Sequence, residues 1–454
     1  MAVPVALPQR IAGLLTPPPG ADRREFTRTG TTVGQVYAMA AWLRAKMPER
    51  REQGVICLAA EDRAVIAAAM LTSLAGGPVL LLPYAFSRQA LASLHRATGF
   101  TQAIGDVPRD LPPGTEIFSP QPGDSGRELD HYPARPEEEL LRLYTGGSTG
   151  EPQIWPKTGS NLFAEALFLA DHFAVSGADR IVATISPYHV YGLLYSVLLP
   201  LVSGATVMAA TPAYPEEIQQ AVANCEATVL VSVPAHYRTL LGRSALGPSL
   251  RLAFSSAGVL ACDDNRQFSR ANPAGIVEVY GSTETGGIAL RNRSRGEDHF
   301  TPYPTVSWQI NREQLRIRSP YLSPTLTLAA GGSYLTGDRV EAWHGGGFTL
   351  KGRSDSIIKV AGKRVDLEEI TTSIRQQPGV ADCLVLALAE GGGRENRIVA
   401  VVEGAAVDVE ALRRSLACRF EPYALPRAIK LVSRIPLKDH GKYDRTAILR
   451  LFAP

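Results

Sequence analysis

The sequence predicts an α/β protein. We expect a large N-terminal domain of parallel-type sheets with helices, a small β-rich subdomain within it, and a mobile α+β C-terminal domain. Three observations support this prediction. The 454 residues are too many for one ordinary domain. Short apolar runs alternate with helix-like stretches over the first 290 residues, and the last ~100 residues begin a fresh α/β pattern after a Gly- and Pro-rich interval.

Seven apolar runs are the strand candidates of the N-terminal domain. They are VICLA, PVLLLP, IVATIS, ATVMAA, TVLVSV, LRLAFSS and GIVEVYG. Helical patterns such as VGQVYAMAAWLRAKM and PEEIQQAVANC lie between several of them. Buried apolar strands that are joined by helical crossovers imply parallel sheets covered on both faces.

The character of the chain changes twice in its last third. Residues 291–350 contain shorter strands, more Gly and Pro, and the hairpin signals AAGGS and HGGG, which indicate a β-rich subdomain. From about residue 356 the helix VDLEEITTSIRQQ and the strands CLVLALA and IVAVVE follow. We therefore expect one domain at 1–354 and a second at 355–454.

Composition narrows the class of protein and its partners. Apolar residues make up 45% and charged residues 20%, and the net charge is +3 without a polybasic block, so we expect no nucleic-acid partner. Two uncharged runs, 64–86 and 190–214, are interrupted by Gly and Pro, which argues against a membrane span. Five cysteines without a Cys-x-x-Cys pair, and no evident signal peptide, predict free thiols and a cytoplasmic location.

The segment YTGGSTGEP at 144–152 is the most informative motif. Its Gly and hydroxyl residues allow backbone N–H groups and side-chain hydroxyls to converge on phosphate oxygens. It is not the P-loop of ordinary NTPases, because no Gly-Lys-Ser/Thr follows at the required spacing. A plain flexible turn has a similar composition, so this segment alone leaves both interpretations open.

Four later segments carry residues that suit nucleotide chemistry. YGSTETGG at 280–287 follows the apolar run GIVEV, and a carboxylate at the end of such a strand can hold Mg²⁺ near a phosphate. LTGDRV at 335–340 and KGRSDSIIKVAGKRV at 351–365 offer a carboxylate and an Arg for ribose and phosphate oxygens. PLKDHGKYDR at 436–445 contains Lys442. For each segment taken alone, a solvated surface charge is the alternative.

Taken together, these segments resemble the adenylate-forming superfamily, which contains acyl- and aryl-CoA synthetases, peptide-synthetase adenylation domains and firefly-type luciferases. LAGGPVLLLP resembles an early family motif, SPYHVYG the acyl-pocket motif and SSAG the adenine-side loop. YGSTE, LTGD, GRSDSIIKVAG and PLKDHGKYDR follow in family order. The resemblance covers nearly the whole chain, although the chain is short for the family and is similar to its stand-alone members.

The resemblance implies ATP-dependent activation of a carboxylic acid to acyl-AMP with release of pyrophosphate. The acyl group would then pass to the thiol of coenzyme A, or to the phosphopantetheine of an acyl carrier protein acting in trans. ATP and Mg²⁺ are the implied cofactors, because Mg²⁺ and a Lys neutralise the charge that develops when a carboxylate attacks a phosphate. An aryl or fatty acid is favoured over an α-amino acid, since no acidic side chain near SPYHVYG would pair an ammonium group.

Roles for individual residues also follow from the resemblance. The family pattern places Thr283 at the α-phosphate, Glu284 on Mg²⁺ and Lys442 at the carboxylate and α-phosphate. A swing of the C-terminal domain about a hinge at Asp355 would then replace Lys442 by the face that carries Lys359. The implied nucleotide-binding residues are Thr145, Gly146, Gly147, Ser148, Thr149, Gly150, Ser256, Ala257, Gly258, Tyr280, Gly281, Ser282, Asp338 and Arg353, and the implied acyl-pocket residues are His189, Tyr191 and Gly192.

One departure from the family pattern concerns the phosphate loop. Family members usually have Lys three residues after the last Gly of this loop, whereas this chain has Gln153 there. Lys157, four residues further on, is a candidate substitute. The departure motivates the alternative of a non-catalytic nucleotide-binding relative. Four retained residues argue against that alternative: Glu284, Asp338, Arg353 and Lys442.

Overall fold

The computed structural model describes residues 6–47, 54–124, 126–146, 152–360, 363–390, 395–404, 407–437 and 443–452. The chain forms two compact units. The first runs to Ser307 and also contains Arg318–Thr327, and the second consists of Trp308–Ile317 and the chain from Leu328 onward. The architecture is α/β, as the sequence predicts, whereas the boundary and hinge at Asp355 remain predictions.

The first sheet of the first unit has six strands in the order β4-β3-β1-β2-β5-β6. Its pairs are parallel except for β5 and β6, which are antiparallel. The two central apolar runs VICL and VLLL are buried along their whole length, as the predicted two-sided cover requires. The strands are β1 (Val55–Leu58), β2 (Val79–Leu82), β3 (Gln102–Ile104), β4 (Glu116–Phe118), β5 (Glu139–Gly146) and β6 (Pro152–Thr158).

The second sheet has seven strands in the order β13-β12-β11-β10-β9-β7-β8. Strands β8, β7, β9, β10 and β11 are parallel, and β12 and β13 continue the sheet in antiparallel pairing. All seven apolar runs of the sequence form strands in these two sheets, so that prediction is confirmed. The strands are β7 (Arg180–Ala183), β8 (Thr206–Val207), β9 (Val229–Ser232), β10 (Leu252–Ser255), β11 (Val277–Ser282), β12 (Gly286–Asn292) and β13 (Thr301–Pro302).

Helices flank both sheets of the first unit. Helix α3 is buried at every residue, which explains its uncharged sequence, and α5 begins with a capping box formed by Thr158 and Asn161. Among the residues described above, no helix is both long enough and apolar enough to traverse a bilayer. The helices are α1 (Leu7–Gly13), α2 (Val33–Lys46), α3 (Arg63–Leu74), α4 (Arg88–Thr98), α5 (Gly159–His172), α6 (Val190–Leu193), α7 (Leu199–Ser203), α8 (Pro215–Asn224), α9 (Pro234–Leu240) and α10 (Cys262–Ala271).

The second unit contains three small sheets and three helices. A four-stranded sheet consists of β14 (Ser307–Asn311), β15 (Gln314–Arg318), β16 (Tyr334–Ala342) and β17 (Phe348–Arg353). A 3₁₀ turn at Ser354–Ser356 leads to the hairpin of β18 (Ile357–Val360) and β19 (Lys363–Asp366). The last sheet consists of β20 (Asp382–Glu390), β21 (Glu395–Glu403) and β22 (Ala428–Val432), and it packs with α11 (Leu367–Arg375), α12 (Val409–Arg419) and α13 (Arg445–Arg450).

Candidate active site

Four motif-bearing loops of the first unit lie at one edge of the second sheet. Strands β7, β9, β10 and β11 are neighbours and run parallel, so their carboxyl ends meet at the same edge. The motif SPYHVYG follows β7, the segment VPAH follows β9, SSAG ends β10 and YGSTE ends β11. Ligands of open α/β sheets bind at this edge, which makes it the candidate site.

The SSAG loop is tied directly to the neighbouring strand. The Ser256 hydroxyl donates to the main-chain carbonyl of Val279 at 2.9 Å, one residue before Tyr280. Ala257 has a φ of +68°, a left-handed conformation that costs a non-glycine residue about 1–3 kcal/mol. The loop therefore keeps a strained backbone at the position where the resemblance predicts contact with adenine.

The YGSTE segment forms the tight turn between β11 and β12. A β-bulge follows Tyr280, and a Cβ atom on Gly281 would lie 2.3 Å from the carbonyl oxygen of Gly286, so only glycine fits there. The Ser282 and Thr285 hydroxyls are 2.8 Å apart and brace the turn. Thr283 and Glu284 lie at its tip and are half-exposed, so both side chains are accessible.

Lys157 forms a hydrogen bond to the main chain of this turn. The Lys157 Nζ atom donates to the carbonyl of Glu284 at 3.2 Å and to that of Tyr321 at 2.7 Å. The Glu284 carbonyl also accepts from the Ser323 N–H at 2.8 Å. Burial lowers the pKa of Lys157, and the negative charges of Glu165 and Glu284 offset this lowering only in part. Lys157 is 1% exposed and engaged with carbonyls, so it is not available to replace the phosphate-loop Lys at Gln153.

Glu165 completes this buried group, and sequence reasoning did not identify it. It lies on α5, accepts a hydrogen bond from the Gly287 N–H at 2.8 Å, and is 3% exposed. Burial raises the pKa of the Glu165 carboxyl, and the hydrogen bond from Gly287 and the charge of Lys157 offset this only in part. A lone acid within the apolar helix sequence LFAEALFLA was the available signal, because a buried charge needs a partner.

The acyl-side residues begin at the end of β7. His189 is the N-cap of α6 and is half-buried. The Tyr191 hydroxyl donates to the carbonyl of Ser232 at 3.3 Å. This hydrogen bond joins the SPYHVYG segment to the end of β9. A Cβ atom on Gly192 would lie 1.9 Å from the carbonyl oxygen of Ser186, so the close return of the chain requires glycine.

Thr184 and Ser232, near the ends of β7 and β9, form a hydrogen-bonded group with a second histidine, His236. The Thr184 and Ser232 hydroxyls are 2.7 Å apart, and the His236 Nδ1 atom lies 2.8 Å from the Thr184 hydroxyl. His236 lies in the first turn of α9, the helix that follows β9. Sequence reasoning missed this histidine because nothing local marks VPAHY as more than a strand-to-helix junction.

The second unit brings together the two residues that the resemblance assigns to ribose. Asp338 in β16 pairs in register with Arg353 in β17, and the Arg353 guanidinium lies 3.6 Å from the Asp338 carboxylate. A Cβ atom on Gly337 would lie 2.7 Å from the same guanidinium, so the Gly of LTGD leaves room for it. Their adjacency agrees with a shared role, which remains a prediction.

Several predicted residues lie wholly or partly outside the described ranges. Gly147, Ser148, Thr149, Gly150 and Lys442 are among the residues that the structure does not describe. The backbones of Thr145 and Gly146 belong to β5, where they pair with Gln153 and Pro152. The backbone of Lys359 lies in β18 and that of Asp355 in the 3₁₀ turn.

Comparison with known proteins identifies the family. The family model described as AMP-binding enzyme matches residues 34–331, which is well over half of the chain. The chain belongs to the AMP-binding enzyme family. The predicted membership of the adenylate-forming superfamily is therefore confirmed.

Relatives and solved structures of AMP-binding enzymes agree with this placement. The sulfoacetate–CoA ligase of Cupriavidus necator is 26% identical over 350 residues, covering 70% of this chain and 68% of the ligase. The anthranilate–CoA ligase of Pseudomonas aeruginosa is 27% identical over 349 residues, covering 70% and 67%. The structure of ATP-bound MatB from Rhodopseudomonas palustris superimposes with a TM-score of 0.81 at 19% sequence identity, covering 98% of both chains. The structure of a benzoate CoA ligase from Burkholderia xenovorans superimposes with a TM-score of 0.78 at 21% identity, covering 97% of this chain and 99% of the ligase. At these identities the two structures show the fold.

This AMP-binding enzyme is an AMP-forming ligase that activates a small-molecule carboxylic acid with ATP and transfers the acyl group to a thiol. Its cofactors are ATP and Mg²⁺, and the sulfoacetate and anthranilate relatives are CoA ligases by name. The donor set at the sheet edge fits the metal, because Glu284 offers an accessible carboxylate beside the Thr283 hydroxyl. Oxygen ligands of this kind, supplemented by phosphate oxygens, are what Mg²⁺ prefers.

Proposed function

We propose that the acid activated by this chain is an aryl acid or a slim fatty acid. The single observation that carries this proposal is the uncharged, aromatic character of the acyl-side loops. Among SPYHVYG, VPAH and SSAG the only ionisable side chains are tyrosines and histidines, and the Tyr191 and Tyr195 rings lie 4.8 Å apart. Such a surface suits an aromatic or apolar acyl group.

A second acid group on the substrate would find no fixed cation here. Malonate and sulfoacetate each carry an additional anionic group, whereas the described acyl-side loops contain no Lys or Arg. A buried anion without a partner is costly. Anthranilate and benzoate, which name two of the similar proteins, have the uncharged aromatic body that this surface favours.

The nucleotide roles that we propose follow the arrangement of the loops. Ser256, Ala257 and Gly258 would line one side of adenine and Tyr280 the other, because the two loops adjoin through the Ser256–Val279 hydrogen bond. Gly281 and Ser282 would continue this wall toward the α-phosphate. Asp338 and Arg353 would bind the ribose hydroxyls. The phosphate loop, Thr145 to Gly150, would bind the β- and γ-phosphates.

The chemistry proposed for the first half-reaction is an attack by the substrate carboxylate on the α-phosphorus. A bond forms between the carboxylate oxygen and phosphorus, the α–β phosphoanhydride bond breaks, and pyrophosphate leaves with its electron pair. Glu284 would hold Mg²⁺, whose charge offsets that of the phosphates. Thr283 would orient the α-phosphate, and Lys442 would neutralise the two anions that must approach each other.

The second half-reaction needs a thiol and a different protein surface. The sulfur, as thiolate, attacks the acyl carbonyl carbon, and AMP leaves with the electrons of the acyl–phosphate bond. We propose that Asp355 is the hinge that exchanges Lys442 for the face carrying Lys359. A carrier-protein phosphopantetheine presents the same thiol as coenzyme A and is the second acceptor to test. All five cysteines are free thiols, which supports a reducing, cytoplasmic setting.

A panel of acids tests the proposed substrate class. We would measure the kcat/KM of acid-dependent ATP–pyrophosphate exchange for benzoate, anthranilate, a cinnamate, a medium-chain fatty acid, malonate and sulfoacetate. The proposal predicts that the best monoanionic acid exceeds both dianionic acids by at least about 10²-fold, since an unpaired buried charge costs several kcal/mol. A preference for malonate or sulfoacetate would overturn it.

A further inference from the structure

Lys157 joins two parts of the site that belong to different sheets. It lies on β6, the edge strand of the first sheet, which begins at the last residue of the phosphate-loop motif. Its ammonium group reaches the carbonyl of Glu284 at the turn of the second sheet. Ser323 repeats the connection, because its N–H donates to the Glu284 carbonyl and its hydroxyl donates to the carbonyl of Pro156 at 2.8 Å.

Glu165 fixes the other end of the same turn. Its carboxylate accepts from the Gly287 N–H, three residues after Glu284. A Cβ atom on Gly287 would lie 2.5 Å from both the Glu165 carboxylate and the Tyr303 hydroxyl, so glycine permits this close approach. The turn that presents Glu284 is therefore held at two main-chain points by a buried cation and a buried anion.

A buried pair of charges usually contributes little to the net free energy of folding. Apolar residues of similar volume often serve a protein at least as well, because two charges lose their hydration on burial. What the charged groups supply is direction, because each bonds particular main-chain atoms. The Lys157 ammonium group donates to the carbonyls of Glu284 and Tyr321, and the Glu165 carboxylate accepts from the Gly287 N–H. That direction matters here because two of these atoms, the Glu284 carbonyl and the Gly287 N–H, belong to the turn that presents Glu284.

We propose that Lys157 is a positioning residue for the magnesium-dependent step, and that it acts by fixing the main chain of Glu284. Glu165 assists by anchoring the same turn at Gly287. The proposal rests on the proposed role of Glu284 as a Mg²⁺ ligand. It assigns to Lys157 a function different from that of a phosphate-contacting lysine, because the ammonium group bonds main-chain carbonyls.

The test compares the Mg²⁺ requirement of variants of the full chain. We would measure the Mg²⁺ concentration that half-saturates acid-dependent ATP–pyrophosphate exchange, together with the midpoint of thermal unfolding. Glu284→Gln should raise the Mg²⁺ requirement, and Lys157→Met should raise it by about tenfold, the effect of one lost charge-assisted hydrogen bond. In the double variant the two increases should not multiply, because Lys157 acts through Glu284.

A matched control separates positioning from stability. Arg63 is also 1% exposed, and it likewise donates to a main-chain carbonyl, that of Ala209, and to the Thr211 hydroxyl at 2.8 Å. Arg63→Met should therefore lower the unfolding midpoint without changing the Mg²⁺ requirement. If Lys157→Met does not fold, Glu165→Gln keeps the side-chain shape and should raise the Mg²⁺ requirement about two- to threefold, the effect of replacing a charge-assisted hydrogen bond by a neutral one.

The outcomes distinguish this proposal from the one on which it rests. If Glu284→Gln leaves the Mg²⁺ requirement unchanged, Glu284 is not a ligand, and both proposals fail. If Glu284→Gln raises the requirement while Lys157→Met, or Glu165→Gln in its place, behaves like Arg63→Met, only the positioning role of Lys157 is overturned. A multiplicative effect in the double variant also contradicts it.

Discussion

The Tyr443 hydroxyl donates to the Asp382 carboxylate at 2.8 Å, and Arg375 bonds both groups. This network fixes the residue that follows Lys442 to the core of the second unit. Leu437 pairs with Tyr443, and the Asp444 N–H donates to the carbonyl of Pro436 at 2.9 Å. The described residues on either side of 438–442 are therefore joined to each other and to β20.

Tyr443→Phe should impair adenylation more than thiol transfer. The substitution removes the hydroxyl and leaves Asp382 and Arg375 paired, so the residue beside Lys442 loses its anchor without an unpaired charge being created. We expect the rate of acyl-AMP formation to fall about five- to tenfold, and the rate of thioester formation from preformed acyl-AMP to change less than about twofold. Rapid-quench assays of each half-reaction measure both rates.

Tyr423→Phe is the matched control for that experiment. It removes the same hydroxyl from the same unit, while its ring keeps the contact with the Lys363 ammonium group, 4.9 Å from the ring centre. Both half-reactions should keep their rates in this variant. Equal losses in the two half-reactions of Tyr443→Phe would show that the network does not act on the Lys442 side of the chemistry.

The pH dependence of stability should change in Glu165→Gln. Burial raises the pKa of Glu165 above the value of 4.5 that applies to an exposed carboxyl. The folded chain thus holds this proton more tightly than the unfolded chain, so the stability contributed by Glu165 is complete below pH 4.5 and is lost as pH rises through the folded pKa. Glu165→Gln cannot titrate and should gain about 2–4 °C in unfolding midpoint relative to the parent between pH 5 and pH 8.

Glu369→Gln provides the reference for this comparison, since Glu369 is an exposed glutamate on α11. Its unfolding midpoint should follow that of the parent at every pH. Differential scanning calorimetry over the pH series measures all three chains. A difference between Glu165→Gln and the parent that stays constant with pH would show that Glu165 does not titrate in this range.

The strands that could be predicted from the sequence are those buried on both faces. Their uninterrupted Val, Leu and Ile runs need no alternation with polar residues, so the pattern is unambiguous. Strands β4 and β6 escaped prediction for a physical reason. β6 contains Pro152 and Pro156, which are tolerated because it is an edge strand, and β4 lies within a stretch rich in Pro and Gly, residues that usually indicate loops.

Motif residues could be predicted where the local backbone itself is unusual. The Gly residues of YGSTETGG and LTGD mark close approaches that the structure contains at Gly281 and Gly337. The support behind the motifs could not be predicted, because Lys157 on β6 and Glu165 on α5 reach the β11–β12 turn only through packing between elements that are far apart in the sequence. No spacing in the sequence encodes these contacts.

Asp355→Pro should separate the two half-reactions if Asp355 is the hinge. Proline fixes φ near −65° and removes the N–H, so the rotation that exchanges two faces of the C-terminal domain would be restricted. We expect adenylation to remain within about tenfold of the parent rate, while thiol transfer falls much further. Stopped-flow assays of the two half-reactions, with circular dichroism to verify folding, measure the effect.

Asp355→Ala controls for loss of the side chain at the same position. It removes the carboxylate without restricting φ, and both half-reactions should therefore stay close to the parent rates. If Asp355→Pro also keeps normal rates in both half-reactions, rotation at this residue is not part of the mechanism of this chain.

Acid-dependent ATP–pyrophosphate exchange tests the central claim most directly. The exchange of labelled pyrophosphate into ATP requires reversible formation of an acyl adenylate, whichever thiol accepts the acyl group later. We predict exchange that requires both Mg²⁺ and an aryl or fatty acid, and that falls about 10²–10³-fold in Lys442→Ala, the loss typical of one charge-stabilising donor. A folded chain that binds ATP but shows no exchange with any acid of the panel would contradict the account and favour a non-catalytic nucleotide-binding protein.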